Sequence, residues 1–254
     1  MTEFTQFASI ESALNTRFRG LDQRDWNEWQ RNHSFATASE IPVDAVRACL
    51  RRSKRNYSGL GHRTKLKDLI AGSVDQHFLE EIGELSNLER LELGWPVTAT
   101  DLSPLLRLPT LRHLSIDSPR KISEFSALLK LPALEKLFIT NAKHMPDIEW
   151  LADARHLTVI GVEGGMWSPQ RIPSLRPLAG LPSLQAFFGT TIKVVDKDVM
   201  PLAACPNLQF LGVAAFAPRS EFERLHAARP DIICSWFRPE PWVMISRPSK
   251  RPAV

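Results

Sequence analysis

The sequence predicts an α/β solenoid, a right-handed coil in which short strands stack into one parallel sheet. A leucine phrase carries this prediction: Leu-x-x-Leu-x-Leu starts at Leu88 and recurs 23 residues later at Leu111 and again at Leu134, with Ile at the last position. Looser copies follow at positions 157, 184 and 208. A period in the twenties over most of the 254 residues indicates stacked repeats that share one continuous core.

Each repeat divides into a strand and a helical segment. Apolar residues two apart, such as Leu91 and Leu93, are typical of a short strand with one buried face. Apolar residues three apart, such as Leu102, Leu105 and Leu108, mark a helical turn with one buried stripe. We therefore expect each unit to be a strand, a turn and a helical return, in which each buried leucine contributes about 1.5–3 kcal/mol.

The combined pattern resembles the leucine-rich repeat family, and most closely its internalin-like bacterial subclass, which has short helical backs and Leu-Pro joints. Such joints occur here at Leu108-Pro109, Leu131-Pro132 and Leu181-Pro182, and the resemblance covers about residues 66–237. It implies a horseshoe of about seven repeats that serves as a binding surface.

Three regions follow from the pattern: a helical N-terminal cap region (1–62), the repeat array (63–237) and a proline-rich basic tail (238–254). A cap is expected because a bare terminal repeat exposes its core. A second apolar contact is predicted at Trp26 and Trp29, and a further helix near Pro42. One helical face of the cap region carries Ile10, Ala13, Leu14, Phe18 and Leu21.

The tail has four prolines between Arg238 and Pro252 and is expected to be extended. An alternative stays open for Trp242 and the three residues after it. They could fold back over the last repeat and close it.

Basic residues are concentrated in one segment. Residues 47–67 carry eight Lys or Arg and no acid, whereas the whole chain has a net charge of only +4. The candidate basic patch is Arg47, Arg51, Arg52, Lys54 and Arg55. It is either a site for nucleic acid or an acidic partner, or a solvated helix face. The second interpretation is favoured, because only Tyr57 interleaves as an aromatic and no nucleic-acid-binding motif accompanies the run.

The outward-facing strand residues are the candidate binding site. The residues on either side of the second leucine point away from the core and line the concave face of the solenoid. Charged side chains dominate the early repeats and aromatic ones the later repeats, and Arg with aromatics is typical of protein interfaces. The partner-binding candidates are Arg90, Glu92, Trp95, His113, Asp117, Lys136, Phe138, Trp167, Phe188 and Phe210.

Some of these assignments have structural alternatives. Strands favour aromatic residues for their own sake, so Phe188 and Phe210 are interpreted as structural, and Trp95 and Phe138 as binding residues. The unit from 157 to 184 is 27 residues long, and its extra residues fall at 164–171. That loop either reaches a bound partner or packs Trp167 against the array.

Catalysis is disfavoured. The seven histidines do not cluster at metal-ligand spacing, and there is no Cys-x-x-Cys, phosphate-binding glycine loop or nucleophile elbow. His113, Asp117 and Glu92 have the residue types of an acid–base set, yet charged concave faces are usual in such arrays. We therefore predict no enzyme activity, no metal and no cofactor.

The expected location is the cytoplasm. No run of 18 apolar residues is present, so no membrane partner is expected, and the first residues lack the basic and apolar segments of a secretory signal. Three cysteines cannot all pair within one chain. Cys205 stands where other repeats have a buried Leu or Ala, which predicts a reduced thiol in the core.

The leading functional hypothesis is a non-enzymatic module that binds a partner protein on its concave face. Its most specific version is a bacterial immunity or antitoxin-like protein that holds a toxin there, suggested by a small array without signal, membrane anchor or enzyme domain. One alternative is a signalling scaffold or a delivered effector. Another is nucleic-acid binding through residues 47–67.

Overall fold

Short strands recur along the chain where the leucine phrases predict them. The structure is a computed structural model that describes residues 3–20 and 23–246. The strands are β1 (Ser34–Phe35), β2 (Arg47–Arg51), β3 (Asp68–Gly72), β4 (Arg90–Gly94), β5 (His113–Asp117), β6 (Lys136–Thr140), β7 (Val159–Glu163), β8 (Gln170–Ile172), β9 (Ala186–Gly189), β10 (Ile192–Val194) and β11 (Phe210–Val213).

Within the described residues, nine of these strands form one parallel sheet in the order β1-β2-β3-β4-β5-β6-β7-β9-β11. Strands β8 and β10 lie outside it and pair with each other. Each strand of the main sheet therefore pairs with the strand of the next repeat, and connections between such parallel strands coil in the right-handed sense.

The leucines of the phrase meet in one core beneath this sheet. Leu91, Leu114, Leu137 and Ile160 pair in register across four neighbouring strands, and all four side chains are buried. Because no single repeat could bury them alone, each repeat depends on its neighbours for stability. The predicted α/β solenoid is confirmed.

The helical backs are mostly 3₁₀ helices, which are tighter than α-helices. A 3₁₀ helix has three residues per turn, so side chains three apart share one face. That geometry matches the observed spacing, and Leu102, Leu105 and Leu108 are buried on one side. The 3₁₀ segments are Ala38–Glu40, Leu60–His62, Ser103–Arg107, Ser126–Lys130, Glu149–Asp153, Arg176–Leu178, Met200–Ala204 and Ser235–Phe237.

Longer α-helices stand mainly at the two ends of the chain. Within the array, the α-helix at Gln76–Ile82 replaces a 3₁₀ segment in one repeat, and the Asp75 carboxylate accepts a hydrogen bond from the Phe78 N–H and caps its first turn. The α-helices are α1 (Glu3–Arg19), α2 (Gln23–His33), α3 (Gln76–Ile82), α4 (Arg219–Ala228) and α5 (Pro239–Ser246).

The N-terminal region differs from the predicted helical cap of residues 1–62. The helix expected near Pro42 is wrong, because Arg47–Arg51 is a strand that pairs with β3. Alternate residues Ala48 and Leu50 are buried there, so the period-two pattern prevails over helical spacing. The sheet therefore begins two strands before the predicted start of the array.

Helix α1 lies across the concave face instead of closing the end of the array. Its inward side chains are Glu11, Leu14 and Phe18, whose spacings of three and four residues place them on one helical face. Ile10 and Ala13, predicted for that face, are exposed because the buried face is rotated away from them. Leu21 and the side chain of Trp26 lie outside what the structure describes.

A helix and two tryptophan side chains close the C-terminal end of the array. The extended conformation predicted for the tail is wrong for Pro239–Ser246, which forms α5; proline suits the first turn of a helix. The Trp242 Nε1–H donates to the Trp236 carbonyl at 2.9 Å, and the Trp236 Nε1–H donates to the Val213 carbonyl at 2.7 Å. Both rings pack against the main core. Residues 247–254 lie outside the described part of the chain.

Candidate functional site

The sheet presents the predicted residues on its outward face. Parallel register aligns equivalent positions of successive strands in two rows. The first row is Arg90, His113, Lys136, Val159, Ala186 and Phe210. The second row is Glu92, Ser115, Phe138, Gly161, Phe188 and Gly212.

Helix α1 covers the later half of this face. The buried Phe18 ring stacks on Phe210 with centroids 6.0 Å apart, and Leu14 packs beside it. Phe138, expected to be available to a partner, is only 4% exposed. Phe188 and Phe210 are also buried. We call the covered surface the aromatic groove; it consists of Phe138, Val159, Ala186, Phe188 and Phe210.

An ion pair holds the C-terminal end of α1. Arg19 donates from Nη1 to Glu163 Oε2 at 3.0 Å and from Nη2 to Oε1 at 2.5 Å, and the Thr190 hydroxyl donates to the same Oε1 at 2.6 Å. The Arg19 guanidinium also lies over two rings, 4.3 Å from the Phe188 centroid and 5.3 Å from that of Phe138. Because Glu163 is buried, loss of Arg19 would leave a carboxylate without its counter-charge.

Glycines give the phenylalanine rings their space. Across β6, β7, β9 and β11 the second row alternates as Phe138, Gly161, Phe188 and Gly212. A β-carbon on Gly161 would lie 2.2 Å from Phe138 Cδ1, and one on Gly212 would lie 2.5 Å from Phe188 Cδ1. Each ring therefore occupies the volume that a side chain of the next strand would need.

The earlier half of the concave face is polar. Arg90 forms an ion pair with Glu92, 2.6 Å from Nη2 to Oε1, and its Nε lies 3.9 Å from Asp68 Oδ1. Burial raises the pKa of Asp68, and the charge of Arg90 opposes that shift. The Lys136 ammonium donates to the main-chain carbonyl of Arg17 at 3.1 Å, so α1 reaches this half as well.

His113 links the two halves and makes stability sensitive to acid. Its ring stacks on Phe138 with centroids 5.7 Å apart. Burial, and then the charges of Arg90 and Lys136, hold the pKa of His113 well below its ordinary value of 6.5. In mildly acidic solution the unfolded chain therefore binds more protons than the folded one. Stability from this group is complete above about pH 6.5 and is lost as the pH falls.

We expect the free energy of unfolding to fall more for the wild type than for His113→Gln when the pH is lowered from about 7 to about 5.5. Urea unfolding at both pH values measures the difference. His144→Gln, at an exposed histidine, is the control and should keep the wild-type pH dependence. Equal pH dependence in His113→Gln and the wild type would contradict the assignment.

A second surface lies at the edge where the strands end. Trp95 follows β4 and is 52% exposed, and Met166 and Trp167 follow β7 at 83% and 91%. The alternative in which Trp167 packs against the array is therefore wrong. Between them, Asp117 accepts a hydrogen bond from the Ser118 hydroxyl. We call Trp95, Asp117, Met166 and Trp167 the strand-end rim.

The basic segment is a strand and a loop. Arg47, Arg51, Lys54 and Arg55 are exposed. Arg52 has structural partners instead: it pairs with Asp75 at 3.2 Å and donates from Nε to the Ser73 carbonyl at 2.7 Å. The interpretation of this segment as a solvated helix face is wrong about the helix. The charged side chains project from β2 and the turn after it.

Sequence reasoning missed Glu163 and Arg19, and it placed Phe18 on an apolar helical face without identifying the surface that this face covers. Glu163 was identifiable, because register pairs Asp117 with Thr140 and Thr140 with Glu163, so it takes the same strand position as the candidate Asp117. Phe18 and Arg19 gave no sign of their site, since no repeat pattern relates α1 to the strands on which it lies.

Metal-ligating side chains are not clustered in the part of the chain that the structure describes. Among those residues, no group of three His, Cys, Asp or Glu side chains is placed to hold a metal ion. A cleft of about 740 Å³ lies on the helical side of the solenoid between Tyr57, His62, His77 and Glu81. The predicted core position of Cys205 is confirmed, and burial raises the pKa of Cys234 to about 12.

None of the helices in residues 3–20 and 23–246 is both long and apolar enough to span a lipid bilayer.

The architecture is that of solved leucine-rich repeat proteins. TLR13, in a complex with ssRNA13, is 17% identical with a TM-score of 0.50, over 70% of this chain and 28% of its own. An internalin (inlF) from Listeria monocytogenes is 20% identical with a TM-score of 0.46, over 66% of this chain. A leucine-rich repeat protein of Leptospira interrogans is 15% identical with a TM-score of 0.49, over 79% of this chain and 57% of its own.

These likenesses are in the fold. The match spans 54% of the length of the internalin. No protein-family model matches the sequence, and no curated protein matches it either. The single parallel sheet, with 3₁₀ segments returning the chain between its strands, confirms the predicted leucine-rich repeat solenoid, while its binding residues stay predictions.

Proposed function

Starting from a leucine-rich repeat solenoid with a half-covered concave face, we propose that this chain is a non-enzymatic module that binds a partner protein. The strand-end rim carries the proposal, because Met166 and Trp167 are 83% and 91% exposed. Large apolar side chains grouped at a surface mark interaction sites. Trp in particular is enriched among the residues that dominate binding energy.

The spacing of the rim suits a partner of protein size. Trp95 and the Met166–Trp167 pair stand on loops three strands apart, which corresponds to about 15 Å at the usual strand separation. The Asp117 carboxylate lies between them and offers a polar contact. Two apolar contacts flanking a polar one fit a helix or loop laid along the rim.

We expect the double variant Met166→Ser, Trp167→Ala to lose a partner that the wild type captures. Truncation of a central Trp typically costs about 2 kcal/mol or more of binding energy, roughly 30-fold in affinity. The matched control is Val195→Ser, which removes an exposed apolar side chain on a different loop. Capture followed by calorimetry with the purified partner measures the effect. Equal affinity for both variants would remove the rim from the interface.

The more specific version of this proposal is an immunity or antitoxin-like protein. In that case the captured protein is a toxin, and co-expression of the wild type protects cells from it. The rim variant should fail to protect while Val195→Ser protects fully. A captured partner with no toxicity would favour the scaffold or effector alternative instead.

Nucleic-acid binding through the basic segment is a second candidate, because Arg47, Arg51, Lys54 and Arg55 are exposed together. It predicts binding of RNA or DNA at about 50 mM salt that weakens steeply as salt is added. The charge reversals belong at Arg51 and Arg55, since Arg52 has a structural role. An absence of binding at low salt would end this alternative.

A further inference from the structure

The aromatic groove has the composition of a binding site. Without α1, the rings of Phe138, Phe188 and Phe210 would form a contiguous apolar surface beside the carboxylate of Glu163. Such a surface is unusual on a free protein and marks a place that something covers. In this structure the cover is a helix of the same chain.

Helix α1 is held by a small number of side-chain contacts. Leu14, Phe18 and Arg19 contact the groove, whereas Ile10 and Ala13 face away.

Towards the N-terminal end of α1, Glu11 accepts a hydrogen bond from the Ser235 hydroxyl, and the Arg238 guanidinium lies 4.8 Å from the centroid of the Phe7 ring. A cleft of about 310 Å³ runs beside α1 from Ala8 to Arg19 and separates the helix from Thr190 and β11. Few contacts on one face, beside an open cleft, are what an exchangeable segment requires.

Helix α1 is followed directly by a glycine with a positive φ. Gly20 has a φ of +107°, which side chains other than glycine rarely adopt. A β-carbon there would lie 2.5 Å from Arg90 Nη1. This glycine lets α1 end directly on the sheet and places Arg19 against Glu163.

We propose that the aromatic groove is a receptor site for a helix of a partner protein that presents an aromatic side chain followed by arginine, and that α1 is its intramolecular stand-in. The proposal rests on the proposed function as a protein-binding module and adds a second site to it. Phe138, Phe188 and Phe210 take the aromatic ring. The buried Glu163 selects the cation.

Arginine fits this site better than lysine. Its planar group forms two parallel bonds to the Glu163 carboxylate and stacks on Phe188 at the same time. The lysine ammonium has neither the paired N–H donors nor the planar surface of the arginine guanidinium. A partner must also displace a tethered competitor, whose effective concentration is in the millimolar range. The covered groove therefore admits only strongly matched helices.

The test uses the full-length protein and a fluorescent peptide of residues 3–20 as the probe helix. Arg19→Ala weakens the internal helix and leaves the groove unchanged, so peptide affinity should rise by about tenfold or more over the wild type. Arg155→Ala is the matched control, because Arg155 is exposed and lies outside both α1 and the aromatic groove. It should bind the peptide as the wild type does. Adding Glu163→Gln to Arg19→Ala should abolish the gain.

Hydrogen exchange of residues 7–18 reports whether α1 has left the groove. Faster exchange in Arg19→Ala without tighter peptide binding would overturn the proposal, since an open groove would then fail to accept a helix. Unchanged exchange and affinity would overturn it too, because α1 would be a fixed part of the fold. Dimerisation of Arg19→Ala through exchanged helices would reassign the occupant to a second copy of this chain.

The two proposals fail separately. The rim variant Met166→Ser, Trp167→Ala alters no contact of α1, so its peptide affinity should equal that of the wild type. A failed rim experiment with a positive peptide experiment would move the partner site into the groove. The reverse result would leave the rim as the binding surface.

Discussion

Substitution of Leu114 by aspartate is expected to unfold the repeat array. Leu114 is fully buried between Leu91 and Leu137, its register partners on both sides. Removing a buried leucine side chain costs about 2–5 kcal/mol, and a buried carboxylate without a partner costs several kcal/mol more. Their sum approaches the whole stability of a typical domain, about 5–15 kcal/mol.

The matched control for this change is Leu106→Asp. Leu106 lies on the 3₁₀ segment of the preceding repeat and is 37% exposed, so its aspartate remains hydrated. Circular dichroism during urea unfolding should show a cooperative transition for Leu106→Asp and none for Leu114→Asp. Similar transitions in both variants would mean that Leu114 does not lie in a core shared between repeats.

Two consecutive phenylalanines should respond very differently to the same substitution. Phe187 and Phe188 are both fully buried in β9, but Phe187 faces the main core and Phe188 faces the aromatic groove. In Phe187→Asp, the new carboxylate can be hydrated only if the sheet unfolds. In Phe188→Asp, release of α1 is enough to hydrate the carboxylate. The loss in free energy of unfolding for Phe188→Asp is therefore limited to the docking free energy of that helix.

Burial of Phe18 alone contributes about 1.5–3 kcal/mol to that docking, less than the loss of about 3–5 kcal/mol for a Phe deleted from a core. Hydrogen exchange distinguishes the two responses. In Phe188→Asp, amides of residues 7–18 should exchange quickly while β5 and β6 stay protected. In Phe187→Asp, protection should be lost throughout. Loss of the strands in Phe188→Asp would show that α1 is needed for the array to fold.

The repeat array could be predicted because its leucine pattern is periodic. Leu88, Leu111 and Leu134 repeat at 23 residues, and one parallel register then places every strand residue on the buried or the outward face. The two outward rows followed from this rule alone. So did the exposed loop that carries Met166 and Trp167, although the last two of the extra residues, Gln170 and Arg171, begin strand β8.

The covering of the concave face could not be predicted in the same way. It depends on a contact between Arg19 and Glu163, 144 residues apart, which no repeat encodes. Helix α1 has an apolar stripe that suits an end of the array as well as its face. The strand at Arg47–Arg51 was missed for a local reason, since Arg-rich segments with apolar residues four apart also suit a helix.

Phe and Gly alternate on neighbouring strands as Phe138, Gly161, Phe188 and Gly212. The packing of this half of the solenoid therefore depends on whether an even or an odd number of repeat units is added or removed. Arrays of this kind ordinarily gain or lose single units, because each unit contacts only its neighbours. Here, deleting the unit that carries Gly161 would bring two rings into the same volume, and deleting the unit that carries Phe188 would leave two glycines over a void. Only changes of two units preserve the pattern, so we expect this segment to tolerate the insertion or deletion of units in pairs and not singly.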